Sequence, residues 1–126
     1  MEAAALDPSR AGRDGAGGFD AVIGNPPFLA GSDITGAMGT NVRDWLVEVC
    51  ASGYRANADV VAYFFLRAEK LLTSTGGLGL IATNSIAQGK SREVSLDRMS
   101  SSGFTITRSI QSRPWPAVSA SLEYAA

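Results

Sequence analysis

Residues 19–28 read Phe-Asp-Ala-Val-Ile-Gly-Asn-Pro-Pro-Phe. The apolar run stops at Gly24, and an amide, two prolines and an aromatic ring follow. Two consecutive prolines fix φ and remove two N–H donors, but their carbonyls remain. Asn25 adds a side-chain carbonyl and, standing before a proline, is held extended. Phe28 offers a flat apolar face. Asn25, Pro26, Pro27 and Phe28 together make a short segment rich in acceptors, with one stacking surface. An exocyclic amino group on a planar ring, such as that of adenine, matches it. Such a group carries two N–H donors, and its lone pair is delocalised into the ring. Two acceptors holding those hydrogens draw the nitrogen toward tetrahedral geometry and free the lone pair. A methyl donor in line then reacts by direct displacement, with positioning and electrostatics supplying most of the rate. Pro-Pro after a strand is also a rigid turn in its own right. The tetrapeptide alone does not separate the two readings.

The elements around it must set that segment in place. "FDAVIG" is short, contains Val and Ile, and reads as a buried strand. In open α/β sheets ligands bind beyond the carboxyl ends of strands, which is where "GNPPF" falls. Residues 29–40 read as a Gly-rich loop, and "NVRDWLVEVCAS" as a short helix with Trp45, Leu46, Val49 and Cys50 inward. Residues 60–72 give the strongest helical pattern, with an apolar stripe of Val61, Phe64, Phe65, Ala68, Leu71 and Leu72 and Asp59 at the N-cap position. "STGG" then reads as a terminator, "LGLIATN" as a second buried strand, "SREVSLDRMSSSG" as an amphipathic helix and "FTITRSIQS" as a third strand. "RPWPAVSA" reads as a Pro-rich loop and "SLEYAA" as the start of a strand. This alternation predicts an α/β fold with a mostly parallel sheet.

Composition narrows the chemistry. The chain has 126 residues, 45% of them hydrophobic and 18% charged, with a formal net charge of -1. That length suits one ordinary domain, and the charge gives no general pull toward nucleic acid. There is no histidine and only one cysteine, Cys50, so the usual His/Cys metal sets and any intrachain disulfide are excluded. We expect no bound metal. Proton transfer would fall to a carboxylate, a lysine, a tyrosine or water. Cys50 reads as a small buried apolar residue. The start lacks the basic-then-apolar order of a secretory signal, and no window reaches membrane-spanning length, so a cytoplasmic location is expected.

"FDAVIGNPPF" resembles motif IV of the adenine-specific DNA methyltransferases, written Asn/Asp-Pro-Pro-Tyr/Phe. The likeness runs on through "ADVVAYFFLRAEKLLTSTGGLGLIATNSIAQG", "SREVSLDRM…GFTI" and "SRPWP", covering residues 19–124. The combination most resembles the MmeI-like branch of single-chain bacterial restriction–modification methyltransferases. The resemblance implies an α/β fold: the C-terminal half of a class I S-adenosylmethionine-dependent methyltransferase, with a Rossmann-like mixed sheet and flanking helices. It implies methyl transfer from S-adenosylmethionine to an adenine flipped out of double-stranded DNA. By the same likeness Asn25 accepts from the target amino group and touches the cofactor. Pro26 accepts the second hydrogen through its carbonyl, Pro27 stiffens the loop, and Phe28 stacks on the base. Asp20, Gly24 and Asp59 match the family's usual residues, and for Asp59 helix capping is the expected role. Trp115 falls where the fold brings a loop near the target base, and Arg108 and Arg113 could meet phosphate.

Two departures bear on organisation. The family's Gly-rich cofactor loop, of the type F/D-x-G-x-G, and the acidic residue after its second strand are not found in these residues. Pro116-Ala117 stands where the family has Pro-Gly. Residues 1–18, rich in Gly, Ala and Arg and without periodicity, are expected to be a flexible lead-in or loop. Residues 19–126 are expected to be a partial catalytic domain truncated at both ends, and inactive alone. An unpaired sheet edge would make such a piece marginally stable or self-associating. Other readings stay open. Release-factor glutamine methyltransferases use Asn-Pro-Pro-Tyr on a side-chain amide. A non-catalytic remnant, or a DNA- or partner-binding module, would transfer no methyl group. Adenine and cytosine both present an amino group that suits this loop.

Overall fold

The apolar run at residues 19–24 forms strand β1 (Phe19–Gly24), and it pairs in parallel with β2 (Leu72–Leu80). The structure is a computed structural model that describes residues 18–111, 113–114 and 123–125. Parallel neighbours need a long crossover. Here it is α1 (Ile34–Met38), α2 (Thr40–Trp45) running on through a π-helical turn at Leu46–Cys50, and α3 (Val60–Glu69). After β2 come β3 (Ala82–Thr83), a 3₁₀ turn at Asn84–Ala87, α4 (Gly89–Val94) and α5 (Leu96–Ser101). Two further short strands, β4 (Arg113–Pro114) and β5 (Glu123–Ala125), complete the described elements. β5 lies antiparallel between β3 and β4. Only Ile81 separates β2 from β3, and its N–H donates to the Gly24 carbonyl at 3.0 Å. The result is a mixed α/β chain with a small parallel sheet.

The β1–β2 register is set by Ala21 opposite Gly77 through Gly24 opposite Leu80, with an irregularity between Phe19 and Ala21. "STGG" sits inside β2 there and does not stop a helix. The helix ends earlier, at Glu69. Gly76 is required at this point, since a Cβ on it would lie 2.8 Å from the Phe19 carbonyl oxygen.

Most of the core is helical. Ile34, Leu46, Cys50, Val60, Val61, Tyr63, Leu66, Ile86, Val94 and Met99 pack in one buried cluster, with Ala82 joining from the sheet. The π-helical turn is closed by cations from two other helices. Lys70 donates to the Val49 carbonyl at 2.8 Å, and Arg98 donates to the Ala51 carbonyl. Cations at a helix C-terminus oppose the helix dipole favourably.

Several expectations need correction. β1 is not buried: Ile23 is 84% exposed and Phe19 also faces solvent. A strand is buried only where layers cover both faces, and the described residues pack their helices elsewhere. α3 buries Val60 through Tyr63, Leu66 and Ala68, whereas Phe64, assigned to the inward stripe, is 43% exposed. Its first turn is enclosed on all sides, which no amphipathic stripe anticipates. Leu46, Val47 and Cys50 are the inward residues of the second helical stretch, with Trp45 and Val49 exposed. The supposed loop at residues 29–40 contains α1, anchored by the fully buried Ile34. The amphipathic stretch at 91–103 divides into α4 and α5 at Ser95, whose φ and ψ are -108° and -81°. Residues 104–111 form no strand, and Ile106 is 57% exposed. Alternation makes a strand only where a neighbour supplies ladder bonds, and among the described residues the pairing of β4 with β5 starts at Arg113.

Cys50 is buried as expected, and burial pushes its thiol up, against a smaller downward pull from Lys70 and Arg67. Native Cys50 should therefore resist iodoacetamide near pH ~8 and react on unfolding. Rapid alkylation of the native chain would contradict this packing. The folded thiol holds its proton more tightly than the unfolded one. Its contribution to stability is therefore whole below about pH 8.5 and declines as pH rises past that value.

Candidate active site

The end of β1 turns into an arch with both feet fixed. At one foot the Gly24 carbonyl accepts from Ile81 N–H. At the other the Leu29 carbonyl accepts from Val60 N–H at 2.9 Å, at the start of α3. Between the feet Asn25 is exposed, Pro26 buried, Pro27 exposed and Phe28 exposed. One proline thus anchors the arch, while the amide and the aromatic ring stay open to solvent. Four consecutive residues spanning two fixed points, two of them prolines, have little conformational freedom left. The carboxyl end of a strand in an α/β sheet is where ligands collect, and this arch presents the neutral side-chain amide of Asn25 there.

Asp59 departs from its expected role. Its backbone has N-cap geometry, with φ -64° and ψ 153°, yet its side chain makes no capping bond. The carboxylate turns across to the loop just beyond the arch. Oδ1 accepts from Gly31 N–H at 3.1 Å, and Oδ2 accepts from the Ser85 hydroxyl. The Asp59 N–H donates to Ser91 Oγ at 3.0 Å. Thr83 and Ser85 hydroxyl oxygens lie 2.6 Å apart. Ser85 has one proton and gives it to the carboxylate, so Thr83 is the donor in that pair. Gly31 is buried, and a Cβ on it would lie 2.6 Å from the Ala58 carbonyl oxygen, so only glycine fits. Sequence reading missed Gly31, Thr83, Ser85 and Ser91. Thr83 and Ser85 were discoverable, because they stand at the carboxyl end of the second strand.

Among the described residues, Asp20 and Arg108 are not part of the arch. Trp115 lies outside the described residues. Arg113 is in β4, and Arg108 sits on the exposed stretch before it. Arg108 lines a groove with Leu78, Leu80, Phe104, Ile106 and Ile110 that includes no arch residue. Asp20 is exposed on β1. Among the described residues no group of three or more His, Cys, Asp or Glu side chains is placed to hold a metal. No helix among them is long and apolar enough to cross a membrane.

The class follows from comparison with known families: residues 3–106 match a family model of restriction–modification methyltransferases. That model is described as Eco57I restriction-modification methylase, and because the match takes in most of the chain, the chain belongs to this family. No curated protein matches it.

Proposed function

We propose that the chain takes part in adenine-N6 methylation of DNA, with S-adenosylmethionine as methyl donor. The observation that carries this reading is the arch. Exposed Asn25 and Phe28 are held between two backbone anchors at a strand's carboxyl end, in a chain of a restriction–modification methylase family. In this reading Asn25 accepts one hydrogen of the adenine amino group through its side-chain oxygen. Pro26 accepts the other through its carbonyl, Pro27 keeps the two acceptors in register, and Phe28 stacks on the extruded base. The antiparallel β5 between β3 and β4 supports a Rossmann-like class I sheet. The motif IV assignment and the MmeI-like branch belong to the same proposal.

S-adenosylmethionine supplies an electrophilic methyl group on a positively charged sulfonium. The neutral, acceptor-rich arch fits that charge. Asn25 would hold part of the donor, while a Gly-rich loop for the remainder is not found in these residues. DNA is the proposed partner. The exposed Phe19 and Ile23 on β1, which among the described residues pairs on one side only, support the expected self-association.

Labelled methyl transfer to duplex DNA tests the reading, with the chain assayed alone and together with the coding sequence adjoining it. Label in DNA from either preparation supports the proposal. Label in protein amide side chains, or in neither acceptor from both preparations, would overturn it.

A further inference from the structure

We propose that Asp59 is a positioning residue whose carboxylate, bonded to Gly31 N–H just beyond Leu29, fixes the far side of the Asn25–Phe28 arch. This rests on the reading of the arch as the amino-group acceptor. Asp59 occupies a cap position and leaves the cap bond unmade. Three of its polar contacts reach 28, 26 and 32 residues along the chain, to Gly31, Ser85 and Ser91. One side chain and its own N–H thereby join the loop after β1, the turn after β3 and the start of α4.

The arch needs such a tie. On its β1 side it grows from a parallel ladder. On its far side the backbone bond from Val60 to Leu29 is the nearest anchor, and the Gly31 N–H bond to Asp59 is the next. Loss of the second leaves Leu29 as a single pivot, about which Phe28 and the Pro26 carbonyl can swing. Gly31 is wedged against the Ala58 carbonyl, so the bond also holds a close backbone approach in place. Ser85, itself fed by Thr83, fixes which way the carboxylate points.

Hydrogen-bond logic separates this role from a role for charge. An asparagine at position 59 can keep an oxygen on Gly31 N–H and turn its amide nitrogen to Ser85. Ser85 then accepts, and it can pass its proton to Thr83. The tie survives without the charge. Alanine loses it altogether.

The test uses the full 126-residue chain. Amide hydrogen exchange at Gly31 is read relative to amides of α3 in wild type, Asp59→Ala and Asp59→Asn. Asp59→Ala should speed Gly31 exchange at least about tenfold relative to α3, and Asp59→Asn should stay within about threefold of wild type. Equal protection of Gly31 in all three, or equal loss in Asn and Ala, would overturn the proposal. If Asp59→Ala does not fold, Ser85→Ala replaces it, with a smaller acceleration at Gly31 expected and no change there overturning the idea. Methyl transfer by the chain expressed with its adjoining coding sequence gives a second readout: kcat about 100-fold lower in Asp59→Ala with KM nearly constant, and recovery in Asp59→Asn. A fall in both variants alike would contradict positioning. Absence of transfer in the wild type expressed with its adjoining coding sequence would count against the methyltransferase reading, and the Gly31 exchange would still decide whether Asp59 holds the arch.

Discussion

Replacing Asn25 with alanine should lower the turnover of methyl transfer about 100- to 1,000-fold, with KM for DNA and cofactor nearly unchanged. The reason lies in when the acceptor is used. An adenine amino group in its ground state is planar and bonds well to water. Its hydrogens press hardest on the acceptors as the nitrogen becomes tetrahedral and gathers positive charge. An interaction that strengthens along the reaction raises kcat, whereas uniform binding shifts KM alone. Asn25 suits this role because its side chain is exposed while the backbone on both sides is pinned, at Gly24 and at Leu29. The carboxylate of Asn25→Asp also has an acceptor oxygen, so this variant should keep more turnover than alanine. Steady-state kinetics on the three proteins is the check. A rise in KM as large as the fall in kcat/KM would show that Asn25 merely binds.

The second large effect is on stability. Tyr63→Ala should cost about 3–5 kcal/mol, a large share of the roughly 5–15 kcal/mol by which a domain is stable. Tyr63 is 1% exposed and is the largest of the fully buried side chains. It sits in the first turn of α3, where neighbours on every side are buried too, so the cavity it leaves cannot readily collapse. Its hydroxyl is 3.5 Å from the Ala56 carbonyl oxygen, at the outer limit for a hydrogen bond. Tyr63→Phe should accordingly cost no more than about 1 kcal/mol. Burial pushes the phenol's proton affinity up. This residue therefore adds to the loss of stability expected as pH rises above about 10. Urea unfolding of both variants measures the pair. A loss below about 1 kcal/mol for Tyr63→Ala would contradict the packing of α3.

Short apolar runs and a strong helical period were enough to find β1, α3 and the parallel crossover between β1 and β2. Those features are local, or follow from the order of elements. The burial of each face was not legible, because it depends on what lies opposite. Ile23 has the composition of a buried strand and stands in solvent. Phe64 completes a convincing stripe and faces away from the core that Tyr63 and Leu66 enter. The alternation at Phe104, Ile106 and Ile110 has strand periodicity without a strand partner. In the candidate site, Asn25-Pro26-Pro27-Phe28 announced itself through proline chemistry and the strand end. Its support did not, since the Asp59, Gly31 and Ser85 contacts join residues 26 and 28 positions apart. Helix-start rules gave Asp59 a cap, and the cap position is real. What those rules cannot see is a better partner arriving from another strand end.

The most direct test of adenine-N6 methylation is the identity of the modified nucleoside. DNA would be incubated with methyl-labelled S-adenosylmethionine and the protein, expressed alone and with its adjoining coding sequence, then digested and resolved by mass. Labelled N6-methyladenosine should appear as the deoxynucleoside with wild type and form about 100- to 1,000-fold more slowly with Asn25→Ala. Labelled cytosine, no labelled nucleoside, or N6-methylation undiminished by the loss of Asn25 would contradict the assignment.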